Sequence, residues 1–499
     1  VDFDQITQET LEQVKKAQTS GVLNTTGLFG YNLSQWISLV PVDSPFRNAV
    51  RRVPASQGAK FAIWRALLNA NASQADPAVG FDYAGNLVVT NEQDMQALFA
   101  EYSVAGRVTR SAVALAKGYA DARAIETVNV LNQLMIQEDK KMICAQNFAL
   151  ATPGTIVLST GAPSNGIGPS GSTTTGSITS GTAVHVKVAA RTGNNYFYGG
   201  SGIASADQTV TVGSVTNTNS VGAYVPAVKG AVAYDWFVGT SLSNHTYATT
   251  TTTNTVLLTA QPSTTPASLP TLFMLSTVAP TTPPTADGTA KANDYNGLIA
   301  SILGDYNSAG QQVTPLSATS WGAYWASNDG AALTLSGGTI PAIETMFQGI
   351  YNTQQVSPTA LMVNSYQAAE ISQLILSSTA APIFLMPADV TDRTNAVAGS
   401  YIGRIVNQAA GGKVVPIEVH PHVPPGTIIA RTDTLPYPGS NVSETCILQT
   451  LDDYTDFSYG ANYNPGVAGG GPREDFQVTV SAAFTNLAPT SMGVLSNVA

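Results

Sequence analysis

Ala124-Ile-Glu-Thr-Val-Asn-Val-Leu-Asn-Gln-Leu-Met-Ile-Gln-Glu-Asp-Lys140 carries the strongest helical signal in this 499-residue chain. With its flanks, from about 110 to 146, it carries Ile125, Val128, Leu131, Leu134, Met135, Met142 and Ile143 as one broad apolar stripe at helical spacing. The spacing predicts the longest helix of the protein. Glu138 and Asp139 are expected on its solvated face, because adjacent helical residues point in different directions.

Upstream, Lys60-Phe-Ala-Ile-Trp-Arg-Ala66 and Ala100-Glu-Tyr-Ser-Val-Ala-Gly-Arg-Val-Thr-Arg110 read as strands separated by a polar excursion containing Asn, Asp and Gly. The pair predicts a long two-stranded protrusion. Before it, Val40-Pro-Val-Asp-Ser-Pro-Phe-Arg-Asn-Ala-Val-Arg-Arg-Val-Pro54 holds three prolines and reads as an extended arm that needs another surface to lie on. Ile6, Leu11 and Val14, closed by Lys15 and Lys16 and ended by Gly21, predict a short amphipathic helix.

Downstream, the composition changes after Pro153. Through Asp287 the only charged residues are Lys187, Arg191, Asp207, Lys229, Asp235 and Asp287, in a Thr-, Ser- and Gly-rich background. Thr182-Ala-Val-His-Val-Lys-Val-Ala189, Gln208-Thr-Val-Thr-Val212, Ala231-Val-Ala-Tyr-Asp-Trp-Phe-Val238 and Thr255-Val-Leu-Leu-Thr259 are short β-prone runs between turn residues, as in a β-sandwich. Flexible joints at 161–171 and 279–284 bracket this region, so it reads as an insertion into another fold. Beyond it, 295–303, 340–351 and 365–376 read helical, Thr359-Ala-Leu-Met-Val363 reads as a strand, and Asp475-Phe-Gln-Val-Thr-Val-Ser-Ala-Ala-Phe484 is a cleanly alternating strand.

Charged residues make up 11% of the chain, well under the roughly 25% of an average soluble domain. Counting 22 Lys and Arg against 32 Asp and Glu gives a net charge of −10, which leaves no overall basic field for gathering phosphates. Two cysteines far apart, Cys144 and Cys446, exclude a disulfide framework and a thiolate-rich metal cluster, and Cys144 is expected in the core. The first residues lack the basic start and apolar run of a signal peptide, and no apolar run is long enough to cross a bilayer, so neither export by that route nor membrane anchoring is expected.

The chemical motifs have quieter readings. Gly166-Ile-Gly-Pro-Ser-Gly171 has the spacing of a dinucleotide turn, but Pro169 and the Ser/Thr run after it offer no helix N-terminus to a pyrophosphate. Ala410-Gly-Gly-Lys413 lacks both the first glycine and the final hydroxyl residue of a phosphate loop. His420 and His422 could place two imidazoles together as a metal site requires, yet a structural role is the expectation. Glu138-Asp139 and Asp452-Asp453 have the residue types of a glycosidase pair; a solvated helix face and a turn explain them more simply. Arg47, Arg51 and Arg52, with Lys60 and Arg65, are the candidates for contacts between subunits, because three clustered arginines are too few for a nucleic-acid groove.

Arm, protrusion, long helix, mixed body and final strand cannot all bury their apolar faces in one compact monomer, so other copies are expected to supply the missing surface. At Pro41-Val-Asp-Ser-Pro-Phe-Arg-Asn-Ala-Val-Arg-Arg52, at the 124–140 helix, at Pro358-Thr-Ala-Leu-Met-Val-Asn-Ser-Tyr-Gln-Ala-Ala-Glu370 and at Arg473-Glu-Asp-Phe-Gln-Val-Thr-Val-Ser-Ala-Ala-Phe484 the chain resembles the major capsid protein family of tailed bacteriophages. These motifs cover most of 40–150 and 290–499. The region from about 155 to 288 lies outside that core, and Lys229-Gly-Ala-Val-Ala-Tyr-Asp-Trp-Phe-Val-Gly239 is similar to immunoglobulin or fibronectin type III strands with Trp236 as the core ring.

The resemblance implies an α+β Hong-Kong-97-like fold with an inserted all-β immunoglobulin-like sandwich. Its parts would be an N-terminal arm (1–55), an extended loop (56–110), a peripheral domain with a spine helix (111–153), the sandwich (154–288), a peripheral return (289–312), an axial domain (313–470) and a closing peripheral strand (471–499). It implies a structural protein with no catalysis and no cofactor, assembling as pentamers and hexamers into a shell around double-stranded DNA without sequence-specific binding. Portal, scaffold or decoration proteins would be its partners, the bacterial host cytoplasm its place of assembly, and the virion its location; the sandwich would face outward toward a decoration protein or a host glycan. Some relatives cross-link a Lys near the protrusion tip to an Asn, but Lys60, the only lysine between Lys16 and Lys117, lies near the base, so that chemistry is not expected here. The alternative is an extracellular carbohydrate-active enzyme or an adhesin with a fibronectin-like module.

Overall fold

A computed structural model describes residues 43–55, 60–69, 91–116, 121–160, 176–212, 220–263, 281–307, 311–313, 323–336, 338–376, 402–437, 442–462 and 473–499. The expected first helix at Ile6, Leu11 and Val14, most of the arm, the protrusion tip and the joint at 161–171 lie outside these residues. The fold is α+β, with its main hydrophobic clusters gathered around three sheet systems.

The first system is a four-stranded sheet in the order Arg51–Pro54, Cys446–Asn462, Arg473–Asn486, Ala100–Thr109. The first pair is parallel and the other two antiparallel. Alternation decides which face is covered: Phe476, Val478, Val480, Ala482 and Phe484 point one way, and all are buried in one core. Ala122–Cys144 packs on this sheet, started by Asp121, whose carboxylate accepts from the Arg123 and Ala124 amides. Its buried ladder is Val130, Leu134, Glu138 and Met142, four residues apart, whereas Val128 of the expected stripe is 55% exposed. Gly106 lets the helix come close, because a Cβ there would stand 2.4 Å from Phe476 Cζ and 2.8 Å from a Val130 methyl.

The protrusion is a hairpin, but its second strand is not the expected one. Phe61–Asn69 pairs antiparallel with Asn91–Leu98, and Ala100–Thr109 belongs to the sheet under the helix. Asn91-Glu-Gln-Asp-Met-Gln is polar enough to read as loop, and only Phe99 separates the two strands. The described arm likewise folds back onto its own chain, as a short helix, Pro45–Ala49, followed by the strand Arg51–Pro54, with Phe46 buried.

The low-charge region does form a sandwich. Val157–Thr160, Val221–Tyr224 and Thr255–Leu258 make one sheet, and Gln208–Thr211, Ala183–Arg191, Ala233–Gly239 and His245–Thr251 the other. Val186, Val188, Trp236 and Val238 of one meet Val221, Ala223 and Val256 of the other in a single core, and Trp236 Nε1 donates to Thr251 Oγ1 at 2.8 Å. The strand order differs from the immunoglobulin arrangement, in which the third, sixth and seventh strands share a sheet. Among the described residues the first, fourth and seventh strands pair, and the third joins the second, fifth and sixth. Strand-forming runs are local in sequence; which run pairs with which is decided by packing. The chain enters and leaves the region at neighbouring points, since the Leu150 amide donates to Thr289 Oγ1 at 3.0 Å.

The third system is a six-stranded mixed sheet in the order Tyr324–Ser327, Gly493–Ser496, Ile428–Arg431, Ala360–Val363, Lys413–Val419, Arg404–Asn407. Pro341–Gln354 and Ser365–Leu376 pack on it through Met346, Phe347, Ile350, Ala368 and Ile371. Two expected boundaries move as a result. Cys446–Asn462 was expected in the 313–470 axial unit and lies in the sheet under the long helix, while Gly493–Ser496, expected with the closing peripheral strand, crosses into the six-stranded sheet. Gly493-Val-Leu-Ser496, a run of only four residues after the 3-10 turn at Pro489–Ser491, is too short to carry a period that assigns it to either.

Candidate functional site: the arm joint and the hairpin face

Glu138 and Asp139 are the centre of the most connected charged group among the described residues, and both are buried. Glu138 falls on the Val130–Leu134–Met142 ladder, so the helix carries a carboxylate into its packed face. The arm meets it there. Arg47 Nε and Arg52 Nη1 each reach Glu138 Oε2 at 3.0 Å, with side chains 13% and 22% exposed. The Tyr454 hydroxyl also donates to Glu138 Oε2 and receives hydrogen bonds from Arg47 Nε at 3.0 Å and Arg52 Nη1 at 3.2 Å. Both guanidinium carbons lie over the Tyr454 ring, 5.3 and 4.8 Å from its centre. Burial, and then the Glu138 carboxylate, push the Tyr454 hydroxyl up to about 12, so it serves as a neutral donor. Arg52 extends the group outward through Asp453 at 3.1 Å.

One residue along, Asp139 faces a different partner. Its Oδ1 accepts from the Arg47 amide at 2.7 Å. Its Oδ2 is hydrogen-bonded to His422 Nδ1 and lies 3.4 Å from His420 Nε2. The His422 amide donates to His420 Nδ1 at 3.0 Å, and the Phe46 amide points at His420 Nε2 from 3.3 Å. Burial, which outweighs the attraction of Asp139, lowers His420 from its ordinary 6.5 to about 4. Two histidines that suggested a strand-borne pair therefore sit on a turn after Lys413–Val419, committed to one buried aspartate. This is a hydrogen-bonded joint in which the segment 43–55, the long helix and the end of a strand of the six-stranded sheet meet.

Of the five basic candidates, Arg47 and Arg52 are thus engaged within the chain. Arg51 is exposed on the arm strand. Lys60 is exposed at the hairpin root, its ammonium 5.8 Å from the Phe61 ring. Arg65 is on the hairpin and pairs across it with Asp94 at 2.7 Å and Glu92 at 3.4 Å. Trp236, the sixth residue singled out from the sequence, is fully buried between the sheets of the sandwich.

Sequence reading missed the hairpin's outer face. Ile63, Arg65 and Leu67 share it by alternation, and Ile63 and Leu67 are 66% and 64% exposed. On the opposite face Ala62 and Met95 are buried. The alternation of Ala62, Trp64 and Ala66 against Ile63, Arg65 and Leu67 signalled two partly apolar faces, of which one chain can cover only one.

No family model matches the sequence, and no curated protein matches it. Solved structures do. A chain of the capsid of a native GTA particle, computed with C5 symmetry, is 8% identical, with 97% of this chain and 99% of that one covered at a TM-score of 0.43. The capsid asymmetric unit of cyanophage A-1(L) gives 8% identity, 94% and 97% coverage and a TM-score of 0.44. The holo-SrpI encapsulin complex from Synechococcus elongatus PCC 7942 gives 9%, 97% and 95%, and 0.37.

Proposed function

We propose that this chain is the major capsid protein of a tailed double-stranded DNA phage, a structural protein that closes into an icosahedral head as pentamers and hexamers. The observation that carries the reading is the hairpin. It presents Ile63 and Leu67 to solvent on one face, an apolar surface that a neighbouring copy would cover. The arm strand docked beside Cys446–Asn462, and the long helix laid on the same sheet, supply a firm base for that projection. Arg51 and Lys60 are exposed and Arg65 is paired on the exposed hairpin face, and these three remain the candidates for contact with neighbours. The net charge of −10 suits a shell that encloses DNA without binding it tightly. Residues 154–288 form a separate outward module in this reading, available to a decoration protein or a glycan, and portal and scaffold proteins complete the head in the host cytoplasm.

The glycosidase reading loses its best carboxylates, because Glu138 and Asp139 are buried and bonded to arginines, a tyrosine and histidines. Negative-stain microscopy with light scattering, on the chain expressed with and without the other head genes, tests the proposal. Closed shells or five- and six-fold rings are expected; a chain that stays monomeric even with the head genes present overturns it.

The hairpin gives a sharper expectation. Ile63→Asp with Leu67→Asp places two charges on the face a neighbour would cover, and shells and rings are expected to disappear. The monomer's own stability should change by no more than about 0.5 kcal/mol, since neither side chain contributes to its core. Sedimentation velocity alongside urea denaturation reads both quantities, and normal particles from the double variant would contradict the role given to this face.

A further inference from the structure

The outer face of the sandwich's four-stranded sheet carries a side-chain group that the shell reading does not use. His185 lies in Ala183–Arg191, His245 begins His245–Thr251, and Asp207 directly precedes Gln208–Thr211. In the strand register both histidines stand opposite Gly239, one from each side, so the three positions form a single row across neighbouring strands. With no side chain at its centre, the row leaves the two rings side by side and perpendicular, 6.2 Å between centres and 87° between planes. Asp207 reaches both. Its Oδ2 is 2.7 Å from His185 Nδ1 and its Oδ1 is 2.7 Å from His245 Nε2.

We propose that His185, Asp207 and His245 form a binding site for a divalent transition-metal ion of zinc's class. One nitrogen or oxygen from each residue lies within 4.8 Å of the others, which is close enough for a single ion to gather them with small side-chain movements. Two imidazole nitrogens and one carboxylate oxygen suit zinc and its neighbours, whereas magnesium and calcium take oxygen donors. Three protein ligands leave the fourth tetrahedral position for water. The site is closed enough to hold its geometry and open enough to load, with the His245, Asp207 and His185 side chains 3%, 11% and 18% exposed.

Each imidazole would bind as the neutral ring through the nitrogen that now faces Asp207, its proton moving to the other ring nitrogen. The ion would then fasten together the ends of two strands and the segment leading into a third, so its binding free energy would add to the stability of the sandwich. Lys187 is two residues along the strand on the same face as His185, and its ammonium opposes a dication, which makes Lys187→Gln a variant expected to bind more tightly.

Calorimetric titration of ZnCl2 into the metal-free full chain, with Co2+ as the spectroscopic probe, tests the site. One saturable site per chain is expected, with the strong visible bands of four-coordinate Co2+ lost on adding Zn2+. His185→Gln, which alters the most exposed ligand, is expected to weaken binding by more than roughly 10-fold while leaving the circular dichroism unchanged. Asp207→Asn serves the same purpose if His185→Gln does not fold. Absence of saturable Zn2+ binding, or binding of wild-type strength in the folded variants, overturns the proposal.

Discussion

Replacing Glu138 with leucine is expected to destabilise the isolated chain by about 3 kcal/mol, although leucine continues the Val130–Leu134–Met142 ladder. The loss comes from what remains. Arg47 and Arg52 both direct a guanidinium at Glu138 Oε2, and their side chains are only 13% and 22% exposed. Without the carboxylate, two cations share a partly buried space with a tyrosine ring and the exposed Asp453. That residual exposure keeps the expected cost at the lower end of the range for breaking a buried pair, because water screens part of the charge. Urea denaturation of the wild type, Glu138→Leu, and Glu138→Leu combined with Arg47→Met and Arg52→Met separates the causes. The triple variant is expected to regain most of the lost stability, since apolar replacements remove the stranded charges along with their partner. A Glu138→Leu protein within about 0.5 kcal/mol of wild type would show that the arm is held by packing around Phe46 and not by this ion group.

The same residue marks where sequence reading stops. The long helix was legible because its apolar residues recur at helical spacing, and the strand over 475–484 because its apolar residues alternate. The angular position of the helix was legible only in part. Of the stripe, Leu134, Met142 and Ile143 are buried and Leu131 packs against the same core, whereas Val128 faces solvent and Val130, outside the stripe, is buried, a rotation set by a sheet whose strands come from residues 51–54, 100–109, 446–462 and 473–486. A carboxylate inside a buried stripe looks like a polar interruption until its arginine partners, some 90 positions earlier, are in place. The joint around Asp139 is more remote still, since His422 is 283 positions away. A useful signal was present all the same: two of only four histidines stand two residues apart in Val419-His-Pro-His-Val423, and Glu138-Asp139 interrupts an apolar helix. The sandwich repeats the lesson: four of its described strands and the Trp236 core were visible in the β-prone runs, whereas Val157–Thr160, Val221–Tyr224, His245–Thr251 and the strand order were not.

Acid is expected to loosen the arm through His420, and the sign follows from its surroundings. Burial lowers the imidazole from its ordinary 6.5 to about 4, with His422 and Arg431 adding to the effect and Asp139 and Asp43 opposing it. An unfolded chain therefore takes up this proton near pH 6.5, while the folded chain resists it until about pH 4. Stability from this group is complete above pH 6.5, falls as the pH drops toward 4, and changes no further below that. The total is about 3 kcal/mol, from holding the proton off between pH 6.5 and about 4 at about 1.36 kcal/mol for each pH unit. Geometry agrees with the direction. Protonation removes the Nδ1 lone pair that accepts from the His422 amide, and it adds a charge in a space sealed by the Phe46 and Arg47 backbone. His420→Gln keeps a hydrogen-bonding side chain and cannot titrate. Urea denaturation at intervals between pH 4 and 7 is expected to give a wild-type stability slope steeper than that of the variant, by up to about 1.4 kcal/mol per pH unit, between pH 4 and 6.5. Parallel slopes would mean that acid acts elsewhere. The arm segment 43–55 is bonded to both Glu138 and Asp139, so its proteolytic release on acidification should follow the same curve and should be lost in the same variant.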